Sequence, residues 1–142
     1  MQVKIKRIDS SLPMPAYQTP GSVAFDLYSR DNMTVPAKSI ALIPSNLIIQ
    51  TPPRYALILS ARSSLAKKKG LMLANGIGVI DQDYRGPDDE IKISVYNFTD
   101  NEVSIEKGER IAQGMFVRVD QAEWKEVKSV EEASRGGFGS TG

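Results

Sequence analysis

The stretch from Ile40 to Ala61, IALIPSNLIIQTPPRYALILSA, decides how the chain folds. Short apolar runs rich in Ile and Leu are cut by Pro44 and then by Thr51-Pro52-Pro53. Proline removes a helical hydrogen bond and within sheets is confined to edges and strand ends, so these runs read as short strands and not as a helix. Working outward, the same rhythm covers the chain. Candidate strands are 3–8, 23–28, 40–50, 55–61, 77–80, 91–98, 103–105 and 111–119, separated by Thr19-Pro20-Gly21, Pro36, Gly70, Gly86-Pro87 and Lys107-Gly108. Turn signals every ~8 to 12 residues are the mark of an all-β sandwich or barrel.

One short helix is expected. Ser63 or Ser64 offers an N-cap, Leu65 and Ala66 favour the helical state, Lys67 to Lys69 suit its negative end, and Gly70 closes it. The segment from Gln121 to Ala133 alternates like a strand around Trp124 and then begins like a capped helix, and it receives no assignment. Residues 134–142, SRGGFGSTG, hold one apolar side chain and are expected to form a mobile tail beyond a single β domain of residues 1–133.

A chain of 142 residues is near the usual size of one domain. Its 18 Lys and Arg against 17 Asp and Glu leave a net charge of +1, which gives no footprint for stable nucleic-acid binding. The N-terminus alternates Val3 and Ile5 with Lys4 and Lys6, a first strand rather than a secretory signal, and the longest apolar run, Tyr55 to Leu59, falls far short of the ~20 residues a bilayer requires. There is neither Cys nor His. Disulfides, thiolate nucleophiles, Ser-His triads and the common zinc ligands are therefore excluded. Chemistry near neutral pH must rest on carboxylates, Lys, Arg, Tyr, hydroxyls, backbone amides and a hard, oxygen-bound metal.

Three motifs mislead. GFGSTG at the end of the chain matches a dinucleotide fingerprint but lacks the helix that must follow it. Asp81 to Gly86 opens like a calcium loop, yet Arg85 and Lys92 occupy ligand positions. Lys67-Lys68-Lys69 reads as a solvated helix end.

Four constellations suit a nucleoside triphosphate. Arg62, Ser63 and Ser64 bring a guanidinium, two hydroxyls and helix N-terminal amides to one place, a phosphate site or else a plain serine cap. In the tail, Arg135 with Gly136, Gly137, Gly139, Ser140 and Thr141 could wrap anionic oxygens while Phe138 stacks, although glycine-rich ends also simply fray. The stretch NGIGVIDQDYRG, residues 75–86, sets glycines inside a strand pattern. Its backbone and the Asn75 amide could match a pyrimidine, Tyr84 supplies a flat face, and Asp81 is the carboxylate available to activate water; a turn with local Asp81 and Asp83 bonds is the plainer alternative. Gln113, two residues beyond Ile111, is expected on that residue's strand face, able to orient water or phosphate, or else merely solvated.

These residues resemble a known family. PGSVAFDLYS (20–29), ARSSLA (61–66), NGIGVIDQDYRG (75–86), GERIAQ (108–113) and RGGFGSTG (135–142) look like the five ordered motifs of the trimeric dUTPases. The resemblance implies a β-barrel-like jelly roll, a homotrimer with shared active sites, and Mg²⁺-dependent hydrolysis of dUTP to dUMP and pyrophosphate. It implies that Asp81 activates the attacking water and that Gln113 helps place water and phosphates. By the same resemblance Asn75, Gly78, Val79 and Ile80 hold uracil, and Tyr84 lies beneath the deoxyribose, where a ribose 2′-OH would clash. Arg62 and Ser63 match the phosphate-binding pair, Asp26 the buried acid that supports it, and Arg135, Phe138, Gly139, Ser140 and Thr141 a lid. No direct protein ligand to Mg²⁺ is implied, since the triphosphate and water hold it. The implied setting is intracellular, cytoplasmic or nuclear.

The chain departs from the family pattern at Ala24, Ala61, Ser64 and Gly114, and the loop Gly86 to Glu90 is longer than usual. The dCTP deaminases share R-S-S in the second motif but use a Glu on the strand after the hairpin, where this chain has Ser94. A non-catalytic nucleotide-binding trimer on the same fold is the rival reading, and Asp81 and Gln113 argue against it.

Overall fold

A computed structural model describes residues 1–130, 133, 134, 136 and 137. Eleven strands and one helix follow in chain order: β1 (Lys4–Arg7), β2 (Phe25–Tyr28), β3 (Met33–Val35), β4 (Ile40–Pro44), β5 (Leu47–Gln50), β6 (Tyr55–Ala61), α1 (Leu65–Lys69), β7 (Leu71–Leu73), β8 (Gly78–Ile80), β9 (Lys92–Asn97), β10 (Val103–Ile105) and β11 (Arg110–Arg118). Every ladder is antiparallel.

The pairing is nested: β2 with β11, β3 with β10, β4 with β9. A chain paired this way is one long hairpin rolled on itself, the construction of a jelly roll. Rolling brings β6 against β11 and gives a four-stranded sheet in the order β2-β11-β6-β8, while β4-β9-β7 forms a second sheet. Both sheets, with β1-β5 and β10-β3, enclose one core that includes Leu27, Val35, Ile43, Ile49, Leu57, Leu71, Ile93, Ile105 and Ile111. Each such side chain contributes about 2 kcal/mol by leaving water. The all-β expectation therefore holds: β9 alternates buried and more exposed residues, whereas β5 is buried at Leu47, Ile48 and Ile49 alike.

Differences from the sequence reading lie at short elements. The expected strand 40–50 is two strands, because Asn46 takes a left-handed conformation (φ 71°) between β4 and β5. β3 and β7 were not anticipated; three residues are too few to display a period of two. Gly70 closes α1 as expected, at φ 66°. The serine cap does not form. Ser64 makes no side-chain cap bond, and the Leu65 amide donates to the Arg62 carbonyl at 3.0 Å, so the first turn is closed by its own backbone. Between Gln121 and Val130 the chain has neither strand nor helix.

Candidate active site

Asp26 is the centre of a charge cluster. It lies on β2 with 6% of its surface exposed, and its two carboxylate oxygens are taken separately, Oδ1 by Arg62 Nε at 2.9 Å and Oδ2 by Arg110 at 3.2 Å. A buried carboxylate is stable only when paired, and one anion between two guanidiniums leaves the pair of arginines in excess by one positive charge. The arginines border a cleft of about 340 Å³ together with Ser64, Lys68, Lys69 and Glu109. Lys69 is neutralised by Glu109 at 3.0 Å, whereas Arg62, Arg110 and Lys68 leave the cleft cationic. Such a cleft suits phosphate oxygens.

Arg110 was missed as a site residue, and the reason is instructive. Between Arg110 and Ala112 the register with β2 shifts, since Arg110 faces Tyr28 and Ala112 faces Leu27. Ile111 is thus an extra residue, a β-bulge that turns Arg110 to the same face as Gln113, which lies opposite Asp26 on one side and Ser60 on the other. Gln113 was expected on the face of Ile111. The bulge corrects this: Ile111 is fully buried in the core, and Gln113 stands with Asp26 and Arg110, its amide donating to the Ala61 carbonyl at 3.1 Å. Only the run Lys107-Gly108 before Arg110 hinted at a turn into this site.

Asn75 and Asp81 lie at opposite ends of β8, both exposed. β8 is the edge strand of its sheet, so its outer backbone groups meet no further strand among the described residues, the arrangement a base-reading edge needs. Gly78 has a different explanation from the ligand approach expected of it. A Cβ there would stand 3.0 Å from Leu59 Cβ, a tight contact, so the packing of β8 on β6 favours glycine. Gly114 is likewise filled: a Cβ would lie 2.9 Å from the ring of Phe25, which occupies the space a larger residue would take. Val79 is exposed on the face it shares with Ile58 and Met115 of the neighbouring strands, and Ile80 is half-buried beside Leu57.

Tyr84 is 39% exposed, and its hydroxyl donates to the Glu90 carbonyl at 3.1 Å. Ser63 is exposed at the start of α1, beside Ser64. Arg135, Phe138, Gly139, Ser140 and Thr141 lie outside the described residues.

One chain brings Arg62, Arg110, Asp26 and Gln113 together, but not Asp81. Ile80 pairs with Leu57, so Asp81 falls level with Ala56, six residues from Arg62 along the neighbouring strand. At ~3.3 Å per residue that is roughly 20 Å. The hairpin end bearing Asp81 and Tyr84 and the cationic cleft lie at separate places on the same molecule.

A family model described as dUTPase matches residues 10–142. The chain is 38% identical over 144 residues to the deoxyuridine 5′-triphosphate nucleotidohydrolase of Helicobacter pylori strain P12, covering 100% of this chain and 97% of the relative. Among solved structures it is similar to the dUTPase of Streptococcus mutans, with a TM-score of 0.78 and 31% identity over 84% of this chain and 98% of that one. It is also similar to the dUTPase of Staphylococcus bacteriophage 80alpha with dUPNHPP, with a TM-score of 0.87 and 25% identity over 99% and 98%.

Proposed function

This chain belongs to the dUTPase family and is a nucleotidohydrolase, and on that premise we propose that it hydrolyses dUTP to dUMP and pyrophosphate in a homotrimer whose sites are shared between subunits. The separation of Asp81 from the arginine cleft is the observation that carries the shared site. A triphosphate held by Arg62 and Arg110 of one copy lies beyond reach of the same copy's Asp81, so the hairpin of a second copy must supply the base. Asp81 then takes the proton from water attacking the α-phosphorus while pyrophosphate leaves, and the Gln113 amide helps hold the phosphates and the water in line.

The arginines bind the charge that accumulates on the leaving pyrophosphate, and Asp26 keeps both guanidiniums pointed into the cleft. The residues present fit a magnesium ion that arrives with its substrate. The cleft is lined by cations that suit phosphate oxygens, and no cluster of carboxylates among the described residues competes for the ion, so the triphosphate and water would hold it. When bound on the triphosphate, Mg²⁺ supplies further neutralisation of phosphate charge. The edge of β8 with Asn75, Gly78, Val79 and Ile80 would read uracil, and Tyr84 would lie beneath the deoxyribose. The tail residues Arg135, Phe138, Gly139, Ser140 and Thr141 would close over the bound nucleotide as a lid. Acting on dUTP in the intracellular nucleotide pool, the enzyme would limit uracil in DNA and supply dUMP.

Complementation tests the shared site. Asp81→Asn and Arg62→Ala should each be nearly inactive, and mixing them should restore pyrophosphate release once subunits exchange, because some sites then combine an intact Asp81 with an intact Arg62. A mixture that stays inactive after exchange is confirmed by mass would refute the model.

A further inference from the structure

Tyr84 is exposed and its hydroxyl makes one hydrogen bond, so the position of its ring depends on what holds the Glu90 carbonyl. The loop before Glu90 does not hold it. Gly86 and Asp89 bond to each other, the Gly86 amide to Asp89 Oδ2 and the Asp89 amide to the Gly86 carbonyl, which closes the turn on itself. Two ties join this peptide to the body of the protein: the Ile91 amide, in one plane with the Glu90 carbonyl, donates to the Leu47 carbonyl at 2.9 Å, and the Glu90 side chain, 9% exposed, is held from the other end. Its carboxylate accepts Arg30 Nε at 2.9 Å, Arg30 NH2 at 3.2 Å and the Asn46 backbone amide at 2.9 Å. Arg30 is itself fixed, its amide donating to the Pro44 carbonyl at 2.8 Å, and Asn46 is the left-handed residue that separates β4 from β5. A two-point guanidinium–carboxylate pair holds both partners in one plane.

We propose that the Arg30–Glu90 pair is a positioning element of the nucleotide site: together with the Ile91–Leu47 backbone bond it immobilises the Glu90 carbonyl, and by setting the orientation of that residue it fixes Tyr84 and so sets the discrimination between a 2′-deoxyribose and a ribose triphosphate. The inference rests on the reading of Tyr84 given above. The Glu90 carboxylate touches no part of the cleft at Arg62; it acts through the tyrosine. Replacing Glu90 by Gln puts an amide NH₂ against the guanidinium in either orientation, and against the Asn46 amide as well in one, a donor facing a donor, and leaves the Ile91 amide as the remaining tie at the end of the loop.

Pyrophosphate release from dUTP and from UTP should be measured for the wild type, Glu90→Gln, Tyr84→Phe, Tyr84→Ala and the Glu90→Gln/Tyr84→Phe double variant. The dUTP-to-UTP ratio of kcat/KM should fall about tenfold or more in Glu90→Gln and in Tyr84→Phe, and no further in the double variant, since both remove one restraint. A purely structural pair would lower melting temperature and slow both nucleotides alike; an unchanged ratio in Glu90→Gln would overturn the proposal. Tyr84→Ala separates the two failures. Lost discrimination there with an intact ratio in Glu90→Gln overturns the anchor alone, whereas intact discrimination in Tyr84→Ala overturns the reading of Tyr84 and the proposal with it. If Glu90→Gln does not fold, Tyr84→Phe decides, because it removes only the hydroxyl that the carbonyl holds, and an unchanged ratio in that variant refutes the restraint.

Discussion

Asp26 accepts Arg110 at 3.2 Å across 84 positions of sequence because Ile111 is bulged out of the ladder between them. In a regular strand Arg110 and Gln113, three apart, would point to opposite faces. One inserted residue gathers the acid, the arginine and the glutamine on one side of the sheet, and Ile111 fills the core on the other.

Removing the shared anion should therefore cost stability as well as activity. Asp26→Ala leaves Arg62 and Arg110 side by side with no counter-ion. The expected loss is about 2 to 3 kcal/mol, below the figure for a fully buried pair because both arginines keep solvent contact. Urea unfolding of wild type and variant measures it, and a loss under about 0.5 kcal/mol would mean the cluster is not held by Asp26.

Asp81→Asn should lower kcat by about 10² to 10⁴, the usual worth of a general base, with dUTP affinity little changed. The residue is exposed on its own chain, so its melting temperature should stay near that of the wild type. Equal losses in binding and turnover would make Asp81 a binding residue instead.

Gly70→Ala should destabilise the protein by about 2 to 3 kcal/mol, from the left-handed conformation and from overlap of the new Cβ with Thr99 Cγ2. Pairing it with Thr99→Ser, which keeps the hydroxyl and removes that methyl, should recover the packing part and leave the backbone part. No recovery in thermal unfolding would show that the conformation alone is responsible.

Hydrogen bonds from Lys107 and then from Ser11 hold the Asp9 carboxyl well below its ordinary value of 3.8. A carboxylate whose pKa is lowered by folding stabilises the fold above its unfolded value and loses that contribution as pH falls toward the folded one. Stability should thus decline below about pH 4, with part of the slope due to Asp9. Lys107→Met should flatten the fall in melting temperature between about pH 4 and pH 2; an unchanged slope would remove Asp9 as a contributor.

Sequence alone determined the all-β class, because Thr51-Pro52-Pro53 and Gly70 cut the apolar runs to strand length, and local sterics need no tertiary context. It likewise determined the chemical inventory: with neither His nor Cys, the chain was left with carboxylates, Lys, Arg, Tyr, hydroxyls and backbone amides. What it left open depended on register and on distance. The bulge at Ile111 exists only against β2, the split of 40–50 depends on Asn46 donating to Glu90, and Gly78 is glycine because of Leu59 on a neighbouring strand. Arg110 and Glu90 were invisible for the same reason, since a charged residue in a strand or loop looks solvated until the fold brings its partner, Asp26 or Arg30, to it. The distance between Asp81 and Arg62 was also beyond the sequence. Motifs appear in a line as if they met, and only the pairing of β8 with β6 puts them roughly 20 Å apart on one chain.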